Sequence, residues 1–184
     1  MNQTRGRVLF LGDSLTAGYN WGRAFPGLEA VNLGLDGDTC AGVRARLDEV
    51  VELDPDLIFL QIGINDFLRG AGPAEIVAGH QAIWAELTAR RPGARLYVVS
   101  LLPYLEASLP GLPLTLDIIE LNALLAEEAG RLGLTFIDLF GDLADEDRQL
   151  RLDFTSDGLH LTPQGYRVWA EGLKPYLAEA GGRK

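Results

Sequence analysis

Four short apolar runs and a weaker fifth recur along the chain, and they restrict its fold more than any other feature. The four are Val8-Leu9-Phe10-Leu11, Leu57-Ile58-Phe59-Leu60-Gln61-Ile62, Leu96-Tyr97-Val98-Val99-Ser100-Leu101 and Thr135-Phe136-Ile137-Asp138-Leu139; the fifth is Ala30-Val31-Asn32-Leu33. A brief continuous apolar run bounded by turn residues reads as a strand buried on both faces, which is the signature of a parallel sheet. Helical patterns lie between the runs. Thr39 to Leu53 repeats apolar residues at Val43, Leu47, Val50 and Val51. Pro73 to Arg90 opens on a proline and stops before Pro92-Gly93, a start and stop pair that suits a helix. Leu114 to Leu132 forms a third helix closed by Gly133, and Thr162-Pro163 opens the last with an N-cap and a first-turn proline. Strands alternating with helices imply βαβ units with right-handed crossovers. No repeat, linker or low-complexity tract divides the 184 residues, so residues 1–184 are expected to form one domain.

In such open sheets ligands bind beyond the carboxyl ends of the strands. The loops that matter begin at Gly12, Gly34, Gly63 and Leu102, with a last one after Leu139. The first carries Gly12-Asp13-Ser14-Leu15, which places Ser14 at the sheet edge near a helix start. Taken alone, such a serine is more commonly a helix N-cap. A phosphate-binding P-loop is excluded because Gly18 is followed by Tyr19, and Asp13-Ser14 do not fit a dinucleotide loop. Near the other end stands Asp157-Gly158-Leu159-His160-Leu161. An Asp and a His three apart in one turn can hold a carboxylate against one ring nitrogen and leave the other to accept a proton. Gly63-Ile64-Asn65-Asp66 offers the side-chain N–H donors of Asn65, and Asn32-Leu33-Gly34 offers the backbone N–H of Gly34. Each has a plainer reading as a turn residue. Together they supply the nucleophile, base, orienting carboxylate and oxyanion donors that acyl transfer requires.

The remaining composition narrows the field by exclusion. The net charge is -10 with the acidic residues dispersed, which disfavours nucleic acid and anionic membrane surfaces as partners. No stretch approaches the ~18 apolar residues of a membrane span, and Met1 to Arg7 has no apolar leader, so an integral membrane segment is not expected and the expected location is cytoplasmic. Cys40 is the one cysteine and has no partner for an intramolecular disulfide. Two histidines and one cysteine far apart give no zinc-ligand spacing, and the acidic run Asp142 to Asp147 lacks the EF-hand pattern. No metal and no cofactor is expected. His80, mid-helix, reads as a packed or surface residue, Trp84 and Trp169 as core, and Trp21 and Tyr19 as residues close enough to Ser14 to line a site. Asp66 and Asp13 read as loop-ordering residues. The apolar, proline-bearing segment 101–116 follows the fourth strand and should border the site as an acyl-binding wall, a lid or a subunit contact.

On these motifs the sequence resembles the SGNH, or GDSL-type, hydrolase family. The marker residues are Ser14 in Gly-Asp-Ser-Leu, Gly34 in Asn-Leu-Gly, Asn65 in Gly-Ile-Asn-Asp and His160 in Asp-Gly-Leu-His-Leu, in family order and across most of the chain. The resemblance implies a three-layer α/β/α sandwich with a mostly parallel five-stranded, flavodoxin-like sheet. It implies a serine esterase with a catalytic triad of Ser14, His160 and Asp157. It also implies an oxyanion hole built from the N–H groups of Ser14 and Gly34 and the Asn65 side chain. Size and motif spacing look like the small bacterial esterases near the platelet-activating-factor acetylhydrolase branch. The expected partner is a small-molecule ester with a short, acetyl-like acyl group. A carbohydrate O-acetylesterase, or a lysophospholipase or thioesterase, would use the same machinery. A non-catalytic binding module on this scaffold would leave the four motifs as coincidence.

Overall fold

The computed structural model describes residues 6–109 and 114–178, so most of the Met1 to Arg7 segment, read as lacking an apolar leader, and the middle of the 101–116 segment lie outside the described residues. Five strands, β1 (Arg7–Gly12), β2 (Glu29–Gly34), β3 (Leu57–Gln61), β4 (Arg95–Val99) and β5 (Thr135–Ile137), form one sheet in the order β2-β1-β3-β4-β5. Every pairing is parallel. The intervening helices are α1 (Ser14–Ala17), α2 (Trp21–Ala24), α3 (Cys40–Ala45), α4 (Leu47–Glu52), α5 (Ile64–Leu68), α6 (Pro73–Arg90), α7 (Thr115–Arg131), α8 (Phe140–Leu143) and α9 (Pro163–Leu177).

The apolar runs are continuous because successive side chains feed two different cores. Val8 and Phe10, Leu57 and Phe59, and Tyr97 and Val99 face the layer that holds Trp21 and the α9 residues Trp169 and Leu173. Leu9 and Leu11, Ile58 and Leu60, and Leu96 and Val98 face the opposite layer, with Ile83 and Trp84 of α6 and Leu121 and Leu125 of α7. The two-residue period of a strand thus serves helices on both sides. Burial of each such side chain contributes roughly 1.5–3 kcal/mol. Phe10 anchors the first layer, stacked on Trp21 at 4.1 Å and beside Phe59 at 5.5 Å.

Helix boundaries follow local chemistry. Glu75 accepts the Gly72 N–H at the start of α6, Asp117 accepts the Leu114 N–H at the start of α7, and the Thr162 hydroxyl caps α9 through the Gly165 N–H. The single helix expected over Thr39 to Leu53 is instead two, α3 and α4, divided at Arg46, whose backbone leaves helical geometry at φ -114° and ψ 21°. The runs that start at Leu57, Leu96 and Thr135 also outlast their strands β3, β4 and β5. Beyond β4 the backbone of Leu101 bonds to Asn122 of α7, which accepts its N–H at 2.8 Å and donates to its carbonyl at 2.9 Å.

Register decides where the site forms. Gly12 lies level with Gly34 on one side and with Gln61 on the other. The carboxyl ends of β1, β2 and β3 therefore deliver their loops to one place, at the point where the strand order reverses.

Candidate active site

Ser14 is the first residue of α1, directly beyond β1. The N-cap is Asp13 rather than Ser14: its Oδ1 accepts the Leu15 N–H at 3.0 Å, which leaves the Ser14 hydroxyl uncommitted to the helix. That hydroxyl lies 3.0 Å from Nε2 of His160, a residue 146 positions away. On the other side of the ring, Nδ1 of His160 lies 2.7 Å from Oδ2 of Asp157. The far ends of the chain are thus joined in one hydrogen-bonded line, Ser14 to His160 to Asp157.

The turn carrying His160 and Asp157 is closed on itself. Asp157 Oδ1 accepts the N–H groups of Leu159 at 2.9 Å and His160 at 2.8 Å. Thr155 accepts the Gly158 N–H at 2.9 Å and donates to the His160 carbonyl at 2.8 Å. Gly158 takes φ +94°, a conformation that L side chains rarely adopt, and a β-carbon there would lie 2.6 Å from Cβ of Ser108. The Leu105 N–H reaches the Gly158 carbonyl at 2.8 Å, so the described part of the 101–116 segment does border this turn. Desolvation pushes the Asp157 carboxyl up, but the hydrogen bonds from Leu159 and His160 outweigh it and hold the carboxyl at about 2. Asp157 therefore remains a carboxylate, able to orient the imidazole and to stabilise its cation.

Asn65 opens the first turn of α5, and its Nδ2 donates to the Asp38 carbonyl at 3.0 Å, which fixes the plane of the amide and leaves one N–H. Gly34 sits as expected at the end of β2, but its N–H is not free: it donates to Oδ1 of Asn32 at 2.8 Å. Asn32 is itself anchored by donating to the carbonyls of Ala17 and Tyr19. What Gly34 visibly provides is clearance, since a β-carbon there would lie 2.1 Å from the Ala17 amide nitrogen, where α1 crosses β2. Three residues on, Gly37 turns the loop at φ +72° ahead of Asp38, and its N–H makes no hydrogen bond among the described residues. Asn32, Gly37, Asp38 and Thr155 were not singled out by the motif reading. The one signal for them was position, within a few residues of Gly34 or Asp157.

Other residues separate into supports and bystanders. Asp66 accepts the Cys40 N–H and so ties α5 to the start of α3. Cys40 is buried, and burial with the nearby Asp66 raises its thiol well above the ordinary range, which disfavours the thiolate. His80 is fully buried, with Nε2 3.0 Å from the Ile62 carbonyl, and burial lowers its ring to about 4. Trp21 is core rather than site lining, its indole N–H bonded to the Thr16 carbonyl. Tyr19 is half-buried and stacked on Tyr166 at 4.7 Å. In the acidic run, Asp145 accepts the N–H groups of Asp147 and Gln149 and closes a turn. Among the described residues no group of three or more His, Cys, Asp or Glu side chains is placed to hold a metal ion, and no helix is long and apolar enough to cross a membrane.

The model of the GDSL-like Lipase/Acylhydrolase family matches residues 10–168. Platelet-activating factor acetylhydrolase IB subunit alpha2 of Homo sapiens is 33% identical over 166 residues, covering 86% of this chain and 70% of that protein. In fold, a GDSL-like lipase from Bacteroides thetaiotaomicron superposes with a TM-score of 0.79 at 23% identity, over 95% of this chain and 88% of the other. The lipase/acylhydrolase from Enterococcus faecalis gives 0.79 at 23% identity, over 97% and 96%. The chain belongs to the GDSL-like Lipase/Acylhydrolase family, near its platelet-activating-factor acetylhydrolase branch, and is a carboxylic ester hydrolase.

Proposed function

We propose that the chain hydrolyses carboxylic esters of short, acetyl-like acyl groups through an acyl-enzyme on Ser14. The observation that carries this reading is the line of hydrogen bonds from Ser14 Oγ to His160 Nε2 at 3.0 Å and from His160 Nδ1 to Asp157 Oδ2 at 2.7 Å. As Ser14 Oγ bonds to the ester carbonyl carbon, its proton passes to His160 Nε2. The carbonyl π-bond opens to an oxyanion. His160 then gives that proton to the leaving alkoxide as the carbon–oxygen bond breaks. Water repeats the sequence on the acyl-Ser14 ester and releases the acid. Asp157, ionised throughout, keeps the ring aimed at Ser14.

The Ser14 N–H, which has no intrahelical acceptor at the first position of α1, and the remaining Asn65 N–H are two oxyanion donors. The N–H of Gly34 is committed to Asn32, so a third donor from this loop is either Gly34 after release by Asn32 or Gly37, whose N–H is unengaged among the described residues. The acetyl preference rests on the likeness to an acetylhydrolase at 33% identity. A series of p-nitrophenyl esters from acetate to longer acyl chains tests it. The C2 ester is expected to give the highest kcat/KM, and Ser14→Ala to abolish turnover. A maximum at long acyl chains would refute the acyl-group assignment, and near-full activity in Ser14→Ala would refute the mechanism.

A further inference from the structure

The break between α3 and α4 gives the inference its starting point. At Arg46 the helix expected from sequence is interrupted, and the guanidinium turns back under the site. Its Nε donates to Asp38 Oδ2 at 2.8 Å. One terminal nitrogen donates to the Leu33 carbonyl at 2.8 Å and to the Gly12 carbonyl at 3.2 Å. Gly12 is two residues before Ser14, Leu33 is one before Gly34, and Asp38 is the residue whose carbonyl holds the Asn65 amide. One planar cation therefore joins the three segments that carry the nucleophile and the oxyanion donors. The Arg46 side chain is 19% exposed and that of Asp38 is 5% exposed, so the ion pair is largely shielded from water. The other Asp38 oxygen accepts the Thr39 N–H at 2.9 Å, so the carboxylate is gripped on both sides and its backbone carbonyl cannot easily turn away from Asn65.

We propose that Arg46 is a positioning residue for the oxyanion hole, acting through Asp38 to hold the Asn65 amide. This rests on the serine-esterase reading above. Arginine suits the task because its rigid fork addresses three acceptors in fixed directions. Lysine offers a flexible point charge and cannot span them together.

Arg46→Lys and Arg46→Gln are compared with the parent enzyme on p-nitrophenyl acetate, with rates taken per active site titrated by a fluorophosphonate. An oxyanion donor displaced by about an ångström is expected to cost on the order of 10²-fold in kcat while KM changes by less than about threefold. The decisive arm repeats Arg46→Lys in an Asn65→Ala background, where the loss should shrink to a few-fold because the group being positioned is gone. Full kcat per titrated site in both Arg46 variants would overturn the proposal, as would an equal loss with and without Asn65. If Arg46→Gln does not fold, Arg46→Lys, which keeps the cation beside Asp38, supplies the test. A parent enzyme that is not titrated at Ser14 refutes the serine-esterase reading itself, and that outcome is separate from any behaviour of the Arg46 variants.

Discussion

Asn65 and Asp13 bear on the proposed Ser14 site in different ways, and each can be tested alone. Asn65 has one N–H fixed on the Asp38 carbonyl and one to offer a developing oxyanion. Removing a single oxyanion donor typically costs about 10²–10³ in turnover. Asn65→Ala should therefore lower kcat of p-nitrophenyl acetate hydrolysis by that factor with KM nearly unchanged, and a loss under tenfold would make Asn65 a structural residue only. Asp13 is wholly buried beside Ser14, with one carboxyl oxygen on the Leu15 N–H and the other without a partner among the described residues. Desolvation raises it from 3.8 to about 7, against the lowering effect of the Leu15 bond and of His160. The folded chain thus holds this proton to higher pH than the unfolded chain does. Its contribution to stability is complete below pH 3.8 and is lost as pH rises through about 7. Asp13→Asn keeps the capping oxygen and cannot ionise. Denaturant unfolding over this range should show the variant gaining stability relative to the parent as pH rises. Parallel curves would mean that Asp13 does not titrate there.

At the scale of elements, the turn from Thr155 to Leu161 is the most demanding piece of the site. It must present His160 and Asp157 together, and it does so with a left-handed glycine packed on the 3₁₀ turn Glu106–Ser108. Gly158→Ala adds both an unfavourable backbone conformation and a collision with Ser108. It should destabilise the protein by roughly 1–3 kcal/mol and reduce kcat, read from unfolding curves and ester hydrolysis on the same preparation. Unchanged values of both would show that the turn relaxes freely. The same turn also shows why sequence reads some things and not others. Asp157 and His160 were legible because a carboxylate and an imidazole three apart have a specific chemical use. Thr155, which ties the turn through the Gly158 N–H and the His160 carbonyl, was not, because a threonine in a turn has many uses.

Across the whole molecule, legibility follows the range of the interaction. The strands could be read because an unbroken apolar run has one economical solution, burial on both faces, and the core bears this out residue by residue from Val8 and Leu9 onward. Strand order was not legible, and the meeting of Ser14 with His160 was legible only from motifs placed at one sheet edge together with the family resemblance, since no local pattern encodes a contact across 146 positions. The helix break at Arg46 was hidden in the same way: its side chain bonds the Gly12 and Leu33 carbonyls, strands away from the apolar period that it interrupts. The bond from the Gly34 amide to Asn32 was not legible because its acceptor lies two residues back on an edge strand and is itself anchored by Ala17 and Tyr19.

The central claim is that folding makes one hydroxyl, that of Ser14, a nucleophile through His160. It is tested most directly by mass-spectrometric mapping of the enzyme after reaction with a fluorophosphonate, with and without His160→Ala. A single adduct on the peptide containing Ser14, formed far more slowly in His160→Ala, is the expected result. An adduct on any other residue, or hydrolysis of esters by a chain that takes up no label, would contradict it.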